Sequence, residues 1–285
     1  MSVAALRAAV LLLGAGLMAC GADGDSAGAS SVAPPPSPDP TCAGLYGAPN
    51  DTTGLDSDAC WPSVDGAAGS WAPPAWSAAD LDALRAWTLL DPPAAPASDP
   101  YAEPPPAAAA PAVCAVEIED AAARTYRLTT FESVDAAASA GASVTHGGAC
   151  GLCSTLADLA VYAGTADLTG PVRQCGLEGV LGAFEDTVAC LEGLGFTPPC
   201  ALAWGWNARH TQEQCLTPCV ALLGDPYHEP DGSLNECLQC DEDESGDVFK
   251  AAAGRTRRNS GLATALCRPC ETVWRVEHAV RDAAR

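Results

Sequence analysis

Apolar residues fall into two kinds of pattern along this chain. After Ser77, a good N-cap followed by Asp80 in the first turn, Leu81, Leu84 and Trp87 recur at helical spacing until Asp91-Pro92-Pro93, which predicts a helix there. Between residues 114 and 131 the pattern turns to strand type. CAVEIE is a short β-type run, and in TYRLTTF the residues Tyr126, Leu128 and Thr130 alternate with Arg127 and Thr129. Beyond it an alanine-rich stretch from about Ser133 to Ala140 predicts a helix. So does the spacing within 152–163 (Leu152, Leu156, Leu159), 180–194 (Phe184, Val188, Leu191), 200–216 and 270–283 (Val273, Val276, Val280). The expected fold is α-rich, of α+β class with one small sheet. No repeat suggests a solenoid.

Composition divides the chain into four segments: 1–19, 20–41, 42–113 and 114–285. Residues 21–41, GADGDSAGASSVAPPPSPDPT, are small, polar and proline-rich, with too little apolar surface to fold, and read as a tether. Residues 42–113 hold the helix after Ser77, four of the seven tryptophans, and a second Pro/Ala-rich stretch at 92–112 that reads as a linker or an extended arm on the surface. The first nineteen residues have a basic start at Arg7, an apolar core from Ala8 to Leu17 and small residues before Cys20. The core is short for a membrane span, which takes about 20 apolar residues. Leu17-Met18-Ala19-Cys20 resembles the lipobox of bacterial lipoproteins. That resemblance implies cleavage before Cys20, diacylglycerol on its thiol and anchoring to a membrane; Gly21 in the next position would permit transfer to the outer membrane.

Export changes the reading of the cysteines. Fifteen are present, and the even number left after Cys20 suggests a disulfide framework. Cys42 and Cys60, isolated from the others, are expected to pair. Bridges between helices are expected in the segment from Cys114 onward, so the main domain reads as a disulfide-stapled helical one. The net charge of −22 argues against a general affinity for nucleic acid or anionic lipid, since both need clustered positive charge. The charge is uneven: residues 250–285 carry a basic excess that is expected to fold back on the acidic body.

Several constellations carry candidate chemistry. In HGGACGLCSTLADLAVY, 146–162, Cys153 would begin a helix, where the dipole and free N–H groups stabilise a thiolate. The string C-G-L-C-S resembles the active-site segment of papain-like cysteine proteases, which implies Cys153 as nucleophile and Cys150 as a half-cystine, with His146 or His278 as base. Ser154 stands where that family has tryptophan, Gly147 where it has its oxyanion glutamine, and no Asn follows His278. The competing reading is a disulfide-locked turn. C-L-Q-C at 237–240 and C-R-P-C at 267–270 have the spacing of a four-thiolate zinc site, and C-R-P-C is similar to the thioredoxin-like redox motif, but bridging competes with both. On a helix, Cys267, Cys270, Trp274 and His278 would share one face. DEDESGDV, 241–248, places Asp241, Asp243 and Ser245 as in the first half of an EF-hand loop, with Ala252 where the bidentate Glu belongs; the alternative is a solvated acidic loop.

GRTRRNSG, 254–261, is the best candidate for recognition. Arg255, Arg257, Arg258 and Asn259 would present forked donors to a small anion or an acidic glycan, and an ion-pair network with the acidic stretch upstream competes with that. Trp204 and Trp206 read as core or as sugar-stacking residues. No cofactor is expected. The expected function is a membrane-anchored, extracytoplasmic binding or surface-structural module, facing the periplasm or the cell exterior. A thiol hydrolase using Cys153 is the alternative.

Overall fold

The structure is a computed structural model, and its described residues are 73–106, 111–267 and 273–284. The lipobox with Cys20, the tether and the expected Cys42–Cys60 pair lie outside them. Helix α1, Ala78–Arg85, starts at a capping box: Ser77 Oγ accepts from the Asp80 N–H at 3.2 Å, and the Asp80 carboxylate accepts from the Ser77 N–H at 2.9 Å. It ends before Trp87. Thr88–Leu89 form strand β1 instead of a last helical turn, although Trp87 still reaches the core.

Strands β2, Val113–Asp120, and β3, Thr125–Phe131, are an antiparallel hairpin in which Val116 faces Leu128. The full sheet is ordered β1-β3-β2-β4, with β1 parallel to β3 and β4, Ser143–Gly147, antiparallel to β2. Central β2 is buried on both faces over Val113–Val116. Val113 and Ala115 pack against Trp274, Val276 and Ala137, the last on α2, Val134–Ser139; Val116 faces the main core.

That core is organised by α3, Leu156–Gly164, which is capped by Thr155 and buried over Leu156 and Asp158–Tyr162. Around it stand α4 (Thr169–Leu181), α5 (Phe184–Gly193) and α6 (Pro198–Ala221), then α7 (Glu236–Glu244) and α8 (Gly246–Ala253). The one-turn α9, Arg257–Ser260, and α10, Val280–Ala284, complete an α+β domain. No described helix is long and apolar enough to cross a membrane.

The helices are stapled as the sequence led one to expect, yet among the described residues the close pairs Cys150/Cys153, Cys215/Cys219 and Cys237/Cys240 are not bonded within themselves. Cys215 and Cys219, four apart on one face of α6, meet Cys240 and Cys237 on α7 as two rungs. Cys175–Cys190 joins α4 to α5. Cys114–Cys150 ties β2 to the turn after β4, and Cys153–Cys200 ties the next turn to α6. Cys267 is also disulfide-bonded.

The helix expected over 270–283 is found only at its end, in α10, and residues 270–272 lie outside those described. Residues 273–279 are not helical, and burial alternates from Trp274 through Val276 and His278 to Val280, the period of an extended chain. The Trp274 N–H donates to the Arg258 carbonyl at 2.8 Å, so this segment lies against α9. Trp274 and His278 therefore share no helical face, and Cys270 of the expected stripe lies outside the described residues.

Candidate functional site

The glycine-rich turn at 147–153 leads into α3 across the end of α8. The Leu152 and Cys153 N–H groups donate to the carbonyls of Ala252 and Ala253 at 3.0 and 2.8 Å. Gly151 and Gly254 make the crossing possible, since a Cβ on either would stand within about 2.6 Å of the other's backbone nitrogen. Immediately after the crossing, Arg255 enters the core with no exposed surface. Its Nε donates to the Cys153 carbonyl (3.0 Å), Nη1 to the Thr145 carbonyl (3.1 Å), and Nη2 to the Ser154 carbonyl (3.0 Å) and Thr145 Oγ1 (3.3 Å). Burial lowers its pKa to about 10, partly offset by the charge of Asp158.

The residues proposed as a thiol site surround this guanidinium, but they form a structural hub. Cys153 is bonded to Cys200, and a sulfur held in a disulfide is not a nucleophile. The implied half-cystine role of Cys150 holds, with Cys114 as its partner. His146 is fully buried; its Nδ1–H donates to the Gly147 carbonyl (2.9 Å) and its Nε2 accepts from the Ser154 hydroxyl (2.8 Å), which itself accepts from the Gly151 N–H. Desolvation, then the Arg255 charge, hold its pKa well below the usual imidazole value. His278 sits at φ 50°, buried, with Nε2–H donating to the Ser260 carbonyl at 2.8 Å. Burial lowers its pKa to about 3.

The expected anion loop is likewise corrected. Beyond Arg255, the Arg257 guanidinium donates to the carbonyls of Tyr162, Ala263 and Thr165, and the Asn259 amide donates to those of Gly147 and Gly254. Arg258 pairs with Glu242 at 2.9 Å, so the competing ion-pair reading holds at this residue. The calcium residues do not converge, because 241–244 are helical. Asp241 faces α6, Asp243 is exposed and accepts from Gln239, and Ser245 is buried at the end of α7. The zinc-spaced Cys237 and Cys240 are used in bridges, and among the described residues no three His, Cys, Asp or Glu side chains group to hold a metal ion.

What the folding of these segments creates is a cavity of about 290 Å³ between α4, α6, α7 and α8, with residues 256–266 and 273 contributing to its wall. Its walls are largely apolar: Tyr162, Leu168, Val172, Trp204, Leu238 and Phe249. Leu216 and Leu223, exposed at 51% and 38%, also line it and mark its mouth. Trp204 is therefore wall as well as core, packing on Phe249 and donating from Nε1 to the Tyr162 hydroxyl at 3.1 Å. Trp206 packs on Phe184 and does not line the cavity.

A few polar groups interrupt this lining. Asp241 accepts from Asn207 Nδ2 (3.2 Å) and from the Thr211 hydroxyl, and burial pushes its carboxyl above the usual range against those bonds. Behind them Tyr101, from the proline-rich arm, donates to Asn207 Oδ1 (3.0 Å) and stacks on His210. Arg173 of α4 lies over the Tyr227 ring (5.5 Å to its centre) and donates from Nη2 to the Cys237 sulfur at 3.2 Å. Burial lowers its pKa. The sequence reading missed this site. The available signal was the stripe Trp204, Ala208, Thr211, Leu216 and Val220 along α6, continued by Leu223 just past its end, at three-, four- or five-residue steps.

Residues 184–276 match a family of unknown function (DUF8771). That stretch is less than half of the chain and holds three of the four helices around the cavity; α4 lies outside it. The chain has no match among curated proteins or among solved structures.

Proposed function

We propose that this protein is a non-catalytic binding module that holds a small apolar molecule in the cavity between α4, α6, α7 and α8, and that it is tethered through Cys20 to a bacterial membrane, outside the cytoplasm. The observation that carries the reading is the cavity itself. Ligand sites are concave, mostly apolar and supplied with a few placed polar groups, with volumes of about 300–1,000 Å³, and this one lies at the lower end of that range. The two disulfide rungs on α6 and α7 support a preformed site, since they fix one wall before any ligand arrives. Disulfides at this density favour an oxidising compartment, in keeping with the lipobox resemblance.

Binding is tested with a neutral environment-sensitive dye, N-phenyl-1-naphthylamine. Saturable one-to-one enhancement is expected, and Ala208→Trp, which fills the cavity from α6, should abolish it without changing the disulfide map. Undiminished dye binding in that variant would remove the reading. For the tether, labelling with radioactive palmitate that disappears in Cys20→Ser is expected; labelling that persists would contradict the lipobox assignment.

A further inference from the structure

Resting on the cavity reading, we infer that its occupant is an acidic single-chain amphiphile: an apolar tail between the helices and a carboxylate or phosphate head held by Arg173. The argument begins with charge. The chain as a whole carries −22, yet the cavity is lined by Arg173, Lys250, Arg257 and Arg258 against only Asp241 and Glu242. A positive excess around a largely apolar cavity of a strongly acidic protein favours an anion there.

The partners of these charges single out one of them. Arg257 gives its donors to backbone carbonyls, and Lys250 and Arg258 share Glu242, at 3.4 and 2.9 Å. Arg173 has a disulfide sulfur and an aromatic face. Among the described residues no carboxylate lies within ion-pair distance of it. Asp241 and Asp167 act on it only from farther away, and burial lowers its pKa against them and Tyr227. A guanidinium offers five donors in a planar fork, and sulfur is a weak acceptor. A carboxylate or phosphate oxygen taking the place of that sulfur would supply the missing charge-assisted bonds.

The rest of the ligand follows from the walls. Val172, one residue before Arg173, and Leu177, one turn after it, line the cavity on the same helix, so a head at Arg173 leads directly onto apolar surface. Exposed Leu216 and Leu223 let a tail longer than the cavity continue outward. No bond is made or broken. The tail supplies affinity by burial, and the head supplies orientation and selects acids over neutral amphiphiles.

The experiment compares decanoate, decyl phosphate, decanol and decyltrimethylammonium as competitors of the naphthylamine dye on the full chain. Decanoate and decyl phosphate should displace it about 10- to 100-fold more tightly than decanol, the range expected of charge-assisted hydrogen bonds, and decyltrimethylammonium should be weakest. Arg173→Met should bring the acids down to the decanol level and leave decanol unchanged. Arg173→Lys should restore part of the preference, which a purely structural role would not explain. Equal binding of decanol and decanoate, or a preference that survives Arg173→Met, would overturn the acidic head and leave the cavity reading intact. Loss of all four competitors, and of the dye itself, would overturn both. Vesicles of dioleoylphosphatidylglycerol serve as the second source of the same head chemistry. Arg173-dependent capture by vesicles with no binding of free decanoate would overturn the single-chain ligand.

Discussion

Replacing Arg255 with methionine should cost far more than replacing an exposed arginine, and the size of the loss can be worked from its partners. The guanidinium is buried and serves the carbonyls of Thr145, Cys153 and Ser154 together with Thr145 Oγ1. Leaving a buried acceptor without a donor costs about 1–3 kcal/mol each. Removing the desolvated charge returns part of that, because such a charge is expensive to bury. The net loss should be about 3–5 kcal/mol, a large share of a typical total of about 5–15 kcal/mol. Arg255→Lys keeps the charge but loses the planar fork, and should fall between the two. The assay is equilibrium urea unfolding of the oxidised protein, in which the midpoint should drop with the slope unchanged. A loss under about 1 kcal/mol in Arg255→Met would refute the hub and reopen a ligand role for this loop.

Three further outcomes follow from the same contacts. With a folded pKa of about 3 against 6.5 unfolded, His278 is a group whose unfolded chain binds a proton that the folded one refuses. Its contribution to stability is present above pH 6.5 and is lost as pH falls from there toward 3; His278→Asn, which tolerates the left-handed backbone, should flatten the pH–stability curve by on the order of 1 kcal/mol per pH unit in that window. Asp158 and Asp241 act with the opposite sign above 3.8, since their raised pKa values let the folded state take up the proton first; the difference between wild type and His278→Asn cancels their effect. Tyr101→Phe removes the hydroxyl that joins the proline-rich arm to Asn207 and Ser245 and should lower stability by about 1 kcal/mol in urea unfolding. Replacing Cys219 and Cys237 together by serine opens an 18-residue separation and should cost about 3 kcal/mol, with a measurable weakening of dye binding because the α6–α7 wall is no longer fixed.

The general outline was legible because it depends on local signals. Ser77, Ser133 and the alternation of TYRLTTF are read by neighbours in sequence, and α1, α2 and the β2–β3 hairpin follow them. The helices α4 and α7 escaped because their sequences speak against them locally. TGPVRQCGLEGVL carries proline and glycines, with the proline acceptable only in the first turn, and ECLQCDEDE is too acidic to look amphipathic; both are held by disulfides to partners that no pattern names. The segment W-R-V-E-H-A-V shows the reverse case. Its three- and four-residue steps suggested a helix, while the alternation that prevailed is also plain in the sequence. The arginines illustrate the limit for sites: one loop contained the right residues for an anion, but carbonyls from Thr145, Tyr162 and Gly147 reach it from far away in sequence and use its donors. The cavity, formed by helices up to about 80 residues apart, has no local signature beyond the stripe on α6.

The most direct test of the cavity as a binding site is a crystal structure of the protein soaked with 8-bromooctan-1-ol, a neutral probe whose bromine is located by anomalous scattering. The account predicts one strong bromine peak between α4 and α6, walled by Val172, Trp204 and Leu238. Bromine found only on the outer surface, with that space empty or closed by the protein's own side chains, would contradict it.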